Sequence, residues 1–285
     1  AAVVAPAEPN GIRHEEFRFM HLQQDVFPVS HLGWSSFFES QQRELGARRD
    51  QVIPARVVLA SGERLHVLGP HGVQQAVLDR RLGGVNGPVV GDWVGLRADA
   101  PSEPRPVVHL FARTSALRRR RIRDGRRAQP RVLVANVDTV LIVCAFDAPV
   151  DVGAIARSAA TVREGGANPV LVLNKADLCT DPEPLFHAVR AVAGSAQMII
   201  ASATTGGGID SIRALTRRGE TLALVGAPGA GKSALIHRLM GSDSQRHPAV
   251  SGPDDRGRAT SHRELFILAN GAILIDTPDL HELAL

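Results

Sequence analysis

Between Gln51 and Phe111 apolar and polar positions alternate in short runs: Val52–Leu59, Arg64–Leu68, Val73–Leu78, Asp92–Leu96 and Pro106–Phe111. Turn formers separate them at Ser61-Gly62, Gly69-Pro70, Gly83-Gly84 and Asn86-Gly87-Pro88. Alternation with period two buries one face of each run, and five such strands at this spacing predict a small closed barrel of the OB type. Past residue 131 the texture changes. Short apolar runs at Thr139–Ala145, Pro169–Leu173, Gln197–Ala201, Leu222–Val225, Glu264–Leu268 and Ala272–Ile275 alternate with helical segments. The helices fall at Val152–Glu164, Pro184–Val192, Ile209–Thr216 and Lys232–Met240. Alternating strands and helices predict an α/β sheet with helices on both faces. The chain thus divides into an N-terminal extension (1–46), a barrel (47–114), a linker (115–130) and an α/β domain (131–285).

The extension is polar and aromatic, carrying Phe17, Phe19, Phe27, Trp34, Phe37 and Phe38, with a helix expected over Ser35–Leu45. Its opening AAVVAPAEPN reads as a disordered tail rather than a secretory signal, because it lacks a basic start and a long apolar centre. No apolar stretch is long enough to span a membrane. The longest, Val132–Phe146, is interrupted by Asn136 and Asp138. Cys144 and Cys179 share no metal-ligand spacing and read as packing residues of a reducing, cytoplasmic compartment. The formal net charge of +4 understates one feature: seven of the ten positions from Arg118 to Arg127 are arginine. Such a run reads as a solvated linker or as a contact for a phosphate backbone. Tyrosine is absent and the barrel strands show no aromatic stacking platform, so base stacking there is not expected.

The strongest chemical signal is Gly226-Ala227-Pro228-Gly229-Ala230-Gly231-Lys232-Ser233, which follows an apolar strand and opens a helix. It fits a phosphate-binding loop at every fixed position. Backbone N–H groups from Gly229 to Ser233 would ring a β-phosphate at the helix N-terminus, where the dipole favours an anion. Lys232 would reach the β- and γ-phosphates and Ser233 would ligate Mg²⁺, the contacting stretch running on to Ala234.

Base identity is read from Asn174-Lys175-Ala176-Asp177, at the end of another strand. The Asp177 carboxylate can accept from guanine N1–H and the 2-amino group, whereas adenine offers a donor at neither place. Two hydrogen bonds to a charged acceptor imply a guanine preference of about two to four decades. Asn174 and the Lys175 stem brace the loop and cover the base. Ser202-Ala203 follows the next strand, with the Ala203 N–H placed for guanine O6. Asp276-Thr277-Pro278 ends the last strand, suiting a carboxylate that holds Mg²⁺ through water. In the polar loop Gly257-Arg258-Ala259-Thr260-Ser261, Thr260 is the expected Mg²⁺ ligand that senses the γ-phosphate, with Ser261 as the alternative. The catalytic set is therefore Lys232, Thr260 and Asp276. The base motifs precede the phosphate loop, the reverse of the usual small-GTPase order.

In these motifs and their order the chain resembles the bacterial circularly permuted GTPases that mature the small ribosomal subunit. The resemblance runs from Leu32-Gly33-Trp34 to the end. It includes Pro54-Ala55-Arg56-Val57, Val90-Gly91-Asp92-Trp93-Val94, Ala135-Asn136-Val137-Asp138, Leu173–Asp177, the phosphate loop and Ile275–Pro278. It implies an OB barrel before a permuted GTPase domain, GTP and GDP as ligands, small-subunit and ribosomal RNA binding, and ribosome-stimulated hydrolysis by a monomer. Three departures stand out. The family's C-terminal zinc domain is not found before Leu285, so no zinc is expected in this chain. Asp279 stands where the family has glycine after Asp-Thr-Pro; where the family has a histidine implicated in hydrolysis, this chain has Ala259 or has lost the position through a one-residue deletion. Leu280 also stands where a water-orienting glutamine would follow, leaving His262 and His281 as the nearby bases. Slow intrinsic turnover is expected, and the alternative reading is a nucleotide- and RNA-binding paralogue with little hydrolysis.

Overall fold

The computed structural model describes residues 27–79, 82, 87–100, 102–119, 130–241 and 264–277, with backbone alone at 122, 123, 126, 127 and 264. Five strands close the barrel: β1 (Val52–Ser61), β2 (Arg64–Gly69), β3 (Gly72–Leu78), β4 (Trp93–Arg97) and β5 (Arg105–Leu110), in the order β1-β2-β3-β5-β4. Each lies within two residues of the run read from the sequence. Ala55, Val57, Leu65, Val67, Val94 and Leu96 fill the interior with the two-residue period that strands impose. β1 is nonetheless buried on both faces along most of its length. A register shift between Val57 and Leu59 turns Val58 and Leu59 into a second core, which the barrel shares with the rest of the chain.

That second core reaches into the segment read as an extension. A helix over Ser36–Glu44 follows the turn Val29–Leu32, and Leu32, Trp34 and Phe38 are buried. Trp34 lies edge-on to Trp93, with ring centroids 4.8 Å apart, and edge-on to Phe111 at 5.0 Å. Arg56 ties the parts together from within. Its guanidinium donates to the carbonyls of Leu32 (2.6 Å), Asn136 (2.8 Å) and Gly91 (3.2 Å). Burial pulls its pKa down to about 10 against the opposing pull of Asp138 and Asp92. Gly91 has φ +91°, and a Cβ there would stand 2.1 Å from the Ala135 carbonyl oxygen. The barrel loop and the α/β domain are therefore in backbone contact. Residues 27–45 act as a wedge between them, a role that composition alone did not reveal.

The segment read as a linker is partly paired. β6 (Ala116–Arg119) runs antiparallel to β9 (Arg131–Ala135), and between them β7 (Ile122–Arg123) pairs with β8 (Arg126–Arg127). Parts of the arginine run thus lie on paired strands: Arg118 and Arg119 in β6, Arg123 in β7, and Arg126 and Arg127 in β8.

The α/β domain holds a six-stranded sheet ordered β12-β11-β10-β13-β15-β14. Its strands are β10 (Thr139–Ala145), β11 (Asn168–Asn174), β12 (Gln197–Ile200), β13 (Thr221–Gly226), β14 (Glu264–Ile267) and β15 (Ile273–Asp276). All neighbours are parallel except β14, an antiparallel edge strand. Each central strand feeds two cores. In β10, Val140 and Ile142 face the helices Val152–Glu164 and Glu183–Ala193, while Leu141 and Val143 face Ile209–Arg213 and Lys232–Met240. Burial on both faces explains why these strands read as continuous apolar runs. The parallel register brings the carboxyl ends of β10, β11, β13 and β15 to one edge, where ligands bind in sheets of this kind.

Candidate guanine-nucleotide site

At that edge the phosphate loop leaves β13. Gly226 has φ +149°, and a side chain there would drive a Cβ to 2.2 Å from the Val143 carbonyl of the neighbouring strand. Gly231, with φ +89°, precedes the helix, and its missing side chain leaves room for Asn174, whose Nδ2 would otherwise lie 2.3 Å from a Cβ. Both glycines are required by close approach, not by flexibility. The Lys232 ammonium donates to the carbonyls of Gly226 (2.8 Å) and Ala227 (3.0 Å), so it lies across the loop. Ser233 and Ala234 are exposed in the first helical turn, and Ala230 is buried beneath it.

Asn174 joins the two halves of the site. It is 1% exposed; its Nδ2 donates to the Ala230 carbonyl at 2.9 Å and its Oδ1 accepts from the Ala203 N–H at 3.2 Å. Lys175 adopts a left-handed φ of +63° and pairs with Asp147, Nζ to Oδ2, at 2.7 Å. The Ser202 hydroxyl donates to Asp177 Oδ1 at 2.5 Å and accepts from the Thr205 N–H at 3.0 Å. Ser202 therefore aims the Asp177 carboxylate, which stays exposed beside the loop. Lys175 and Lys232 are the only two lysines of the chain, and both stand here.

On the metal side, Thr277 is fully buried, and its hydroxyl donates to the Leu224 carbonyl, fixing the end of β15 against β13. This places Asp276 within electrostatic reach of Lys232. Burial raises the Asp276 pKa, opposed by the Lys232 charge and the Thr277 N–H. Burial lowers that of Lys232, opposed by Asp276. A cavity of about 420 Å³ opens between the phosphate loop, Lys175, Asp147 and the start of the helix Val152–Glu164. Cys144 lines it, with its thiol pushed up to about 11 by burial, and Cys179 is likewise a free thiol.

The structure thus brings together Asn174, Lys175, Asp177, Ser202, Ala203, Gly226 to Ala234 and Asp276. Thr260, Ser261, Ala259, His262, Asp279, Leu280 and His281 lie outside the described residues. Sequence reasoning missed Asp147 and the pinning role of Thr277. The signal for Asp147 was an acidic residue just beyond β10, at the edge where ligands gather.

Residues 110–285 match the RsgA GTPase family. The small ribosomal subunit biogenesis GTPase RsgA of Syntrophotalea carbinolica is 37% identical over 268 residues, covering 90% of this chain and 72% of that protein. The chain belongs to the RsgA GTPase family. The RsgA of Methanosarcina acetivorans is 34% identical, over 93% of this chain and 70% of its own length. In structure the chain is similar to YjeQ from Thermotoga maritima, with TM-score 0.59, 23% identity and coverage of 82% of this chain and 77% of that one. It is also similar to YloQ, a circularly permuted GTPase, with TM-score 0.55, 20% identity and coverage of 82% and 73%. These likenesses show the permuted fold behind an OB-type barrel. Among the described residues no helix is long and apolar enough to cross a membrane.

Proposed function

We propose that this RsgA-family chain binds GTP and hydrolyses it to GDP and phosphate in the maturation of the small ribosomal subunit. The observation that carries the reading is Asn174, which fastens the guanine-reading segments and the phosphate loop into one site. The names of its relatives supply the biological setting.

Within this site Asp177, aimed by Ser202, accepts from guanine N1–H and the 2-amino group, and the Ala203 N–H donates to O6. The Lys175 stem covers the base, anchored by Asp147. Gly226 to Ala234 wrap the phosphates with backbone N–H groups at the helix N-terminus. Lys232, half-buried, stabilises the charge that develops on the transferred phosphoryl group, where a low-dielectric setting strengthens its pull. Ser233 and Asp276 are hard oxygen donors beside that lysine and fit Mg²⁺, Asp276 acting through water, with Thr260 completing the set. When bound, the ion neutralises charge on the β- and γ-phosphate oxygens. The arginine run from Arg118 to Arg127 supplies positive charge for ribosomal RNA, each neutralised phosphate releasing counterions.

Asp177→Asn tests the base-reading role. It should exchange guanine for xanthine preference, measured as relative affinities for GDP and xanthosine diphosphate. Retained guanine selectivity would refute it.

A further inference from the structure

The helix that begins at the phosphate loop also reaches the opposite end of the site. Arg238, in its last turn, sends its guanidinium across to the loop after β12. Nε donates to the Ala203 carbonyl at 2.9 Å, and a terminal nitrogen donates to the Thr204 carbonyl at 2.5 Å. Two successive carbonyls are thus held by one rigid fork, a geometry that lysine does not reproduce. The helix end is fixed in turn, because Arg213 donates to the Arg238 carbonyl at 2.8 Å.

The peptide groups on the two sides of Ala203 are pinned by different partners. The Ser202 carbonyl accepts from the Gly206 N–H at 2.8 Å, and the Ala203 carbonyl accepts from Arg238. The Ala203 N–H, in the same peptide plane as the Ser202 carbonyl, makes a long 3.2 Å bond to Asn174 Oδ1, which a second acceptor can share. The turn itself has its own closure, Ser202 N–H to the Gly207 carbonyl at 2.9 Å. Arg238 is solvent-exposed and fills no core position. Its contribution is therefore to orientation.

We infer that Arg238 is a positioning residue for guanine specificity: by holding the Ala203 and Thr204 carbonyls it fixes the backbone that follows Ala203, and so the turn that aims the Ala203 N–H at the oxygen of purine position 6. The inference rests on the base-reading role proposed for Ala203. It also makes the helix Lys232–Met240 a strut between phosphate grip and base recognition.

The test compares affinities of the full chain for GDP and 6-thio-GDP. The analogue keeps N1–H and the 2-amino group but offers a poorly accepting sulfur at position 6. Wild type should favour GDP. Arg238→Ala should lose roughly two- to tenfold in GDP affinity, the span of one net hydrogen bond, and leave 6-thio-GDP unchanged. Arg238→Lys, which can satisfy one carbonyl, should retain part of the preference. Equal losses for both nucleotides, or a full preference in Arg238→Ala, would overturn the inference. A wild type that does not separate the two nucleotides would instead overturn the reading of Ala203.

Discussion

Asn174 donates from Nδ2 to the carbonyl of Ala230 at 2.9 Å, so the residue that ends the base-reading strand also grips the phosphate loop. The contact passes over Gly231, where any side chain would occupy the space of the amide nitrogen. In the proposed function, guanine recognition and phosphate recognition share this joint. A change at either residue is felt at both ends of the nucleotide.

Asn174→Ala should leave the Ala230 carbonyl and the Ala203 N–H without this partner in a buried setting. An unmade buried hydrogen bond costs about 1–3 kcal/mol. Urea denaturation should show a loss of that size, with weaker GDP binding by calorimetry. Asn174→Asp keeps the shape but loses the donor, and should bind GDP as poorly. Unchanged binding in both variants would remove Asn174 from the joint.

The scarcity of lysine gives a direct footprint. Burial lowers the Lys232 pKa, which enlarges the fraction of deprotonated amine at a given pH. Brief acetylation read by mass spectrometry should modify Lys232 in the nucleotide-free chain. GDP should protect Lys232 and ADP should not; equal protection by ADP would argue against guanine selectivity.

Asp276 separates folding from metal binding. Its folded pKa is raised above 3.8 by burial, so the stability linked to it is present while the carboxyl is protonated. That stability is lost as pH rises through the folded pKa, and at neutral pH the carboxylate therefore destabilises the fold. Asp276→Asn should raise the thermal midpoint of the nucleotide-free chain at pH 7. It should also weaken the Mg²⁺ dependence of GTP affinity. A lowered midpoint would show that the carboxylate holds the fold together.

Much of this was legible in the sequence because the informative positions are local. Strands buried on both faces read as apolar runs, barrel strands as alternation, and the phosphate loop as glycines around one lysine. The order of the motifs announced the permutation. What stayed hidden depends on distant pairings. Asp147 meets Lys175 across 28 positions and Arg56 meets Asn136 across 80, and neither spacing has a local signature. Leu32, Trp34 and Phe38 sat in a polar stretch whose weak periodicity concealed a wedge that the barrel and the α/β domain require. The arginine run read as a solvated linker or a phosphate contact, and nothing local in it announced the pairing of β6 with β9.

GTP turnover by the full chain, with and without purified small ribosomal subunits, tests the central claim most directly. Mg²⁺-dependent hydrolysis is expected, slow alone, on the order of 10⁻⁴ s⁻¹ or below, accelerated by the subunits, and abolished in Lys232→Ala. Absence of turnover in both conditions, with GDP still bound, would contradict hydrolysis and leave a nucleotide-binding protein.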